Sequence, residues 1–329
     1  MTGMSRNPEG IAEAIRKARR IAVCSHINPD GDTLGCATAM RLALLKLGKE
    51  VTLFCDGKVP DTLLFLPGAK EFRVPRESEG PFDLMLAVDV SDEKRLGACE
   101  ALMKVSAHTA QIDHHPTNPL CMEVNSVDGS APATAVMIRE QLKALEVDLD
   151  PEIAVCLYTG ISTDTGNFAF ASTNAECFTI MSELMEQQLP LAELNRILFR
   201  ERAMPQLKLL GRALNSLKYY ENGRIAVMKL TWKDFEECSA LSEHADTLVN
   251  FGLDTFGTRM AILARETDDG QIKFSLRAKE PNAINDVAQQ FGGGGHPQAA
   301  GITMDGSLDE TVDRVLEAMI RKLNETETE

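Results

Sequence analysis

Four apolar runs in the first half of the chain each carry an Asp or a His at or near the carboxyl end, and this pattern limits the fold more than any other feature. The first, residues 20–26 (RIAVCSH), breaks at Asn28-Pro29-Asp30-Gly31. Runs at 51–56, 84–90 and 109–115 follow, and residues 33–48 between the first two carry apolar residues at helical spacing. Strands alternating with helices pair in parallel through right-handed crossovers. The near-continuous apolar content of LMLAVDV fits a sheet covered on both faces. In such an open α/β sheet, ligands collect beyond the carboxyl ends of the strands.

Helical patterns continue at 131–145 and 151–163, then dominate from 174 to about 218, with Pro190 and Pro205 as helix starts. Beyond them the pattern changes. Residues 224–230, 259–266 and 271–278 are strand-like, and 266–270 resembles a hairpin turn. A helix at 283–291, a glycine run at 292–295, a short strand at 301–304 and a helix at 308–323 complete the chain. The expected architecture is α/β: a doubly wound, mainly parallel sheet in residues 1–185, a helical linker in 186–218, and a smaller α+β domain in 219–329.

A length of 329 residues fits two domains. No apolar run reaches the roughly 18 residues of a membrane span, since residues 35–48 are broken by Arg41 and Lys46. The first ten residues, MTGMSRNPEG, lack a signal-peptide core. Eight cysteines, most inside apolar runs and without any C-x-x-C, read as buried thiols of a cytoplasmic protein. The 34 Lys and Arg face 49 Asp and Glu, and the net charge of −15 opposes capture of long nucleic acid. A small phosphorylated substrate stays open if metal ions supply the positive charge.

A lone Asp after a strand is usually a helix cap or turn former. Here separate segments repeat the pattern: His26, Asp30 and Asp32; Asp89 and Asp92; Asp113, His114 and His115; and Asp164 after another apolar segment. Imidazole and carboxylate without thiolate favour Mn2+ or Mg2+ over structural zinc. Two ions would balance Asp30, Asp32, Asp89 and Asp164, with one carboxylate bridging both. Successive side chains on a strand point to opposite faces, so aiming His114 and His115 at one site requires a bend. Ser91-Asp92 reads as a cap for the following helix, with Arg95 a weaker candidate beside the site.

The glycine run lacks both nucleotide-binding fingerprints. Followed by His296 and Ala299-Ala300-Gly301, it can offer exposed backbone N–H groups to a phosphate, and Arg277 can offer a bidentate fork. His108, just before a strand, and His244, in a helical pattern over residues 242–249 that would expose it, are expected to have no role, and Trp232 to start a helix or join a core. Arg196, Arg200 and Arg202 are expected to form a solvated face. Phe168 and Phe170 are expected in the core, with base stacking the lesser alternative.

The strings His26-x-Asn-Pro-Asp30-Gly-Asp32, Val88-Asp89-Val90-Ser91-Asp92, Asp113-His114-His115 and Gly160-Ile-Ser-Thr-Asp164-Thr-Gly resemble the four motifs of the DHH phosphoesterase superfamily. Phe274-Ser-Leu-Arg277 and the run from Gly292 through His296 to Gly301 resemble its DHHA1 substrate-binding domain. The resemblance covers nearly the whole chain. It implies one Mn2+ held by His26, Asp30 and Asp89 and a second held by Asp32, Asp89, His114 and Asp164, with Mg2+ as an alternative ion and Asp89 as the bridge. It further implies that His115 contacts the phosphoryl group, that Asp113 orients an imidazole, and that Arg277, His296, Gly293, Gly294 and Gly295 bind substrate. The implied activity is hydrolysis of short RNA or DNA oligonucleotides, dinucleotides and 3′-phosphoadenosine 5′-phosphate by a two-metal hydroxide mechanism. The implied assembly is a homodimer. Alternatives are a cyclic-dinucleotide phosphodiesterase, a pyrophosphatase or exopolyphosphatase, and a nucleotide-binding regulator without catalysis.

The chain departs from the family in one place. Where the family commonly has Ser-Ser/Thr-x-Glu before a helix, it reads Gly129-Ser130-Ala131-Pro132-Ala133-Thr134, without the Glu. Ser130 is left with two readings, a phosphate contact or a helix cap.

Overall fold

The computed structural model describes residues 5–328; the first four residues of the polar N-terminal run lie outside them. Contacts divide the chain after Glu201 into two units, each built on its own sheet.

In the first unit, β1 (Arg20–Cys24), β2 (Glu50–Phe54), β3 (Phe82–Val88), β4 (Ser106–Asp113) and β5 (Val124–Val127) pair in the order β2-β1-β3-β4-β5, all in parallel. The winding direction reverses between β1 and β3, and that is where the ligand crevice of such a sheet opens. The helices are α1 (Pro8–Lys17), α2 (Gly31–Lys46), α3 (Thr134–Ala144), α4 (Pro151–Asp164) and α5 (Ala175–Met185). Strand alternation sends Ile21, Val23, Leu84, Leu86 and Val88 into one core with the helices. It sends Ala22, Cys24, Met85 and Ala87 against Leu96, Cys99 and Leu102 of the 3-10 segment Glu93–Lys104. Both faces are therefore covered, as the apolar strand sequences require.

Helices α2 and α4 cross at glycines. A Cβ on Gly35 would sit 2.5 Å from the Cys156 carbonyl oxygen, and one on Gly160 would sit 2.5 Å from Asp32 Oδ1. This close approach brings the first turn of α2 beside α4, whose last residue is Asp164. The chain then runs through α6 (Leu191–Asn195), capped by Pro190, and a π-helical turn, Arg196–Arg200. Arg196, Arg200 and Arg202 are exposed.

The second unit opens with α7 (Met204–Ser216), which has Pro205 in its first turn. Its sheet contains β6 (Lys218–Tyr220), β7 (Ile225–Leu230), β8 (Met260–Glu266), β9 (Ile272–Ala278), β10 (Gly294–His296) and β11 (Ala299–Met304), in the order β10-β11-β9-β8-β7-β6. Only β7 and β8 pair in parallel. Helices α8 (Trp232–Cys238) and α9 (Val249–Leu253) join α7 on one face, with Leu209, Phe235 and Val249 in that core. On the other face, α10 (Asn285–Gln290) and α11 (Leu308–Thr328) bury Val287, Val315 and Met319 against Phe274, Leu276 and Ile302.

Several expectations need correction. Phe170 is 58% exposed rather than in the core, because Gly166, Asn167 and Phe168 all take positive φ and turn the chain outward; Phe168 does pack against the core. His244 is half-buried in a short 3-10 turn, and its Nδ1 accepts the Leu241 N–H at 2.9 Å. Trp232 begins α8, and His108 is exposed, paired with Glu123. Among the described residues no helix is long and apolar enough to cross a membrane. The eight cysteines are all free, and seven of them are buried.

Candidate metal centre

Strands β1, β3 and β4 are neighbours, so the residues just past their carboxyl ends meet. His26 follows β1, Asp89 follows β3, and His114 and His115 follow β4. Asp30 caps α2, its Oδ1 accepting the N–H groups of Asp32 at 3.1 Å and Thr33 at 3.2 Å, and so serves as a cap while its other oxygen faces His26. Asp89 has a left-handed φ of 58°, a conformation a non-glycine residue holds only when its surroundings enforce it. Its N–H donates to the Ile112 carbonyl at 2.9 Å.

The Asp89 carboxylate faces two groups with different oxygens. His26 Nε2 lies 3.6 Å from Asp89 Oδ2 and 3.5 Å from Asp30 Oδ2. His114 Nε2 lies 3.6 Å from Asp89 Oδ1 and 3.1 Å from Asp164 Oδ2. One ligand atom each from Asp32, His114 and Asp164 also falls within 4.8 Å of the others. The six residues expected to ligate are thus brought together. His114 Nδ1 lies 3.1 Å from the Ala131 carbonyl, which accepts a hydrogen bond from that nitrogen and leaves Nε2 facing the acids. His26 Nδ1 lies 2.7 Å from the Ile27 carbonyl and 3.1 Å from the Arg95 guanidinium, and can donate to the first or accept from the second.

The protonation chemistry fits divalent cations. Burial, together with the charges of Asp89 and Asp164, pushes the Asp32 acid well above the ordinary carboxylate range. Burial also raises Asp164, aided by Asp89 and opposed by His114. Burial lowers His26 and His114, yet their carboxylate neighbours outweigh it and push both up to about 10. Burial and mutual repulsion of the acids disfavour their charged forms here, a crowding that an ion of charge +2 would relieve, and the donors are oxygen and imidazole. The nearby Cys36 stays a thiol: burial raises its pKa, and its Sγ donates to Asp32 Oδ1 at 3.3 Å.

Because β4 ends at Asp113, strand alternation no longer governs the two imidazoles that follow, and their rings meet at 4.8 Å and 64°. His115 Nδ1 bonds to Asp113 Oδ1 at 2.7 Å, and that bond raises the His115 pKa against the effect of burial. Asp113 is fully buried, and Asn118 Nδ2 donates to its other oxygen at 2.7 Å. Gln111 Nε2 in turn donates to Asn118 Oδ1 at 3.0 Å. Sequence reasoning missed Asn118, although it stands in a polar Pro-Thr-Asn-Pro stretch just after a strand end.

It also missed Thr134, the first residue of α3, whose hydroxyl donates to Asp89 Oδ1 at 2.9 Å. Ala133, the N-cap of α3, has no side-chain acceptor. Instead Asp32, from α2, accepts the N–H groups of Thr134 at 2.6 Å and Ala135 at 3.0 Å. Ser130 donates to Asp128 Oδ1 at 2.6 Å and closes a local turn. Asp92 caps its helix by accepting from Lys94 at 2.9 Å and Arg95 at 3.2 Å.

Residues 20–161 match the DHH family, N-terminal domain, and residues 222–325 match the DHHA1 domain. A bifunctional oligoribonuclease and PAP phosphatase NrnA of Thermus thermophilus is 33% identical over 95% of this chain and 93% of its own length. The chain belongs to the DHH family of phosphoesterases. A relative with the same description in Bacillus subtilis is 30% identical over 88% of this chain and 90% of its own. The solved structure of an exopolyphosphatase-related protein from Bacteroides fragilis superposes with a TM-score of 0.89 at 25% identity, covering 95% of both chains.

In the DHHA1 domain, pairing sets Arg277 on β9 opposite Ala299 on β11, and Ala299 opposite His296 on β10. Directly paired residues share a face, so Arg277 and His296 emerge on the same side of the sheet. Arg277 is half-buried, with Nη1 donating to the Leu276 carbonyl at 2.9 Å, whereas His296 is exposed. A Cβ on Gly293 would lie 2.1 Å from the Gly301 carbonyl oxygen, and one on Gly295 would lie 2.3 Å from that of Ala299. Only glycine lets β10 lie this close to β11, while Gly294 faces open space.

Proposed function

We propose that this chain is a Mn2+-dependent phosphoesterase, with Mg2+ as an alternative ion, that hydrolyses short oligonucleotides, dinucleotides such as pApA and pGpG, and 3′-phosphoadenosine 5′-phosphate. The observation that carries the reading is the Asp89 carboxylate turned with one oxygen to His26 and the other to His114. In this reading residues 1–185 are the catalytic domain, 186–218 a helical linker and 219–329 the substrate-binding domain.

His26, Asp30 and Asp89 would hold one cation, and Asp32, Asp89, His114 and Asp164 a second. Such a pair supplies charge neutralisation at the phosphoryl group and activation of water. The chain's own groups do the rest. Thr134 and the first N–H groups of α3 fix the rotamers of Asp89 and Asp32. Asp113, held by Asn118, accepts the His115 Nδ1–H and raises the pKa of the ring, so the imidazolium form presents its Nε2–H to the developing negative charge on the substrate. Arg277 and His296 bind a second phosphate, with backbone N–H groups of Gly293, Gly294 and Gly295 lining its approach. The surplus of acidic residues restricts the substrate to small nucleotides and disfavours long strands. The free, buried thiols fit a reducing cytoplasm, and the assembly implied by the family is a homodimer.

The test is hydrolysis of pApA and of 3′-phosphoadenosine 5′-phosphate by metal-stripped protein with and without Mn2+. Turnover only with the ion is expected, and no turnover of either substrate with Mn2+ would contradict the reading. The description of the Bacteroides fragilis neighbour favours one rival, polyphosphate hydrolysis. Faster phosphate release from pyrophosphate or polyphosphate than from dinucleotides would put that reading first.

A further inference from the structure

Phe170 stands in solvent just after the candidate ligand Asp164, on a segment that is held in place. The Thr165 hydroxyl donates to the Ile161 carbonyl at 2.6 Å and accepts the Phe168 N–H at 3.1 Å. The Phe170 N–H donates to the Thr165 carbonyl at 3.0 Å, and the Asn167 N–H to that of Ser162 at 2.6 Å. Three consecutive residues, Gly166, Asn167 and Phe168, have φ of 56°, 57° and 65°, and two of them are not glycine. A backbone over-determined in this way aims its side chains in fixed directions.

Those directions differ. Phe168 is half-buried against the core and meets the outward-lying Phe178 at 5.5 Å between ring centroids, whereas Phe170 keeps 58% of its surface exposed. The Phe170 ring also folds back on the chain, because a Cβ on Gly166 would lie 2.4 Å from Phe170 Cε1. It is therefore fixed against backbone two residues from Asp164. A large apolar ring left in water and braced from behind offers one face to a planar partner. In a nucleotide, the base is separated from its phosphate by a single ribose, a separation suited to a ring beside the phosphate-reacting groups.

We propose that Phe170 stacks on a nucleobase of the substrate, so that the site engages the base as well as the phosphate. This rests on the nucleotide reading above. Phosphates without a base would gain nothing from the ring.

The experiment uses the full chain loaded with Mn2+ and compares Phe170→Ala and Phe170→Trp with the unsubstituted protein. The substrate is 3′-phosphoadenosine 5′-phosphate, and the same bisphosphorylated ribose lacking its base serves as a competitive inhibitor. The alanine variant is expected to raise KM for the nucleotide by roughly tenfold with kcat nearly unchanged. The inhibition constant of the base-free compound should stay constant, and the tryptophan variant should restore KM. An unchanged KM, or equal weakening of both compounds, overturns the stacking role. A change of oligomeric state with KM untouched would assign the ring to an interface between copies and also overturn it. Absence of nucleotide turnover by the unsubstituted protein would remove the functional reading and this inference together, whereas the other outcomes bear on Phe170 alone.

Discussion

The Thr134 hydroxyl donates to Asp89 Oδ1 at 2.9 Å while its backbone N–H donates to Asp32 Oδ2 at 2.6 Å, so one residue at the start of α3 holds two carboxylates of the candidate centre. Replacing Thr134 with Val keeps the side-chain shape and the N–H but removes the bond to Asp89. Mn2+ affinity is expected to fall roughly 10- to 100-fold, and Thr134→Ser should recover most of it. Titration of metal-stripped protein with Mn2+ checks this; unchanged affinity in the Val variant would remove Thr134 from the site.

Gly160 is a packing requirement of the same centre. Alanine there would gain about 1 kcal/mol of helix propensity. Its Cβ would meet Asp32 Oδ1 at 2.5 Å and Ala135 Cβ at 2.6 Å. Overpacking costs about 1–3 kcal/mol and wins, so Gly160→Ala should lower both the unfolding midpoint and Mn2+ affinity. A variant as stable as the parent with full Mn2+ binding would show that the crossing of α2 and α4 is looser than described.

Ser130 is expected to act on stability alone. Burial raises the Asp128 acid, but hydrogen bonds from Ser130 and then from Arg6 outweigh it and hold the folded value below the ordinary 3.8. A depressed acid contributes stability that is present above its unfolded pKa and is lost as pH falls through its folded value. Ser130→Ala should therefore cost about 1 kcal/mol at pH 7, and the difference should shrink as pH drops below 3.8. Chemical unfolding across pH measures this. Lost turnover at unchanged stability would instead favour a phosphate contact for Ser130.

Arg277→Ala should raise KM for dinucleotides while leaving the Mn2+ content unaltered. Metal analysis beside steady-state kinetics separates the two effects, and loss of Mn2+ in this variant would contradict the division of roles between the domains.

The candidate metal ligands were legible in the sequence because each is an acid or imidazole just past a strand or helix run, and because four such strings carry a family signature. The supporting groups were not. Asp32 caps α3 from another helix, 102 residues earlier in the chain, and no rule of local spacing connects a cap to a helix so distant. Asn118 and Thr134 are ordinary polar residues whose role depends on where β4 and α3 end. The same ending removed the difficulty of His114 and His115 sharing a strand. Phe170 was assigned to a core because positive φ at Asn167 and Phe168 has no sequence marker beyond the neighbouring Gly166. Strands β5 and β6, of four and three residues, are too short for periodicity to reveal.

The central claim is that Asp89 joins two cations into one reactive centre. Its most direct test is the Mn2+ content of active protein, titrated by elemental analysis against turnover of pApA, for the parent and for Asp89→Ala. The parent is expected to reach full activity only at two ions per chain, and the variant to lose both that stoichiometry and its turnover. Full activity at one ion per chain, or near-normal turnover by Asp89→Ala, would contradict the claim.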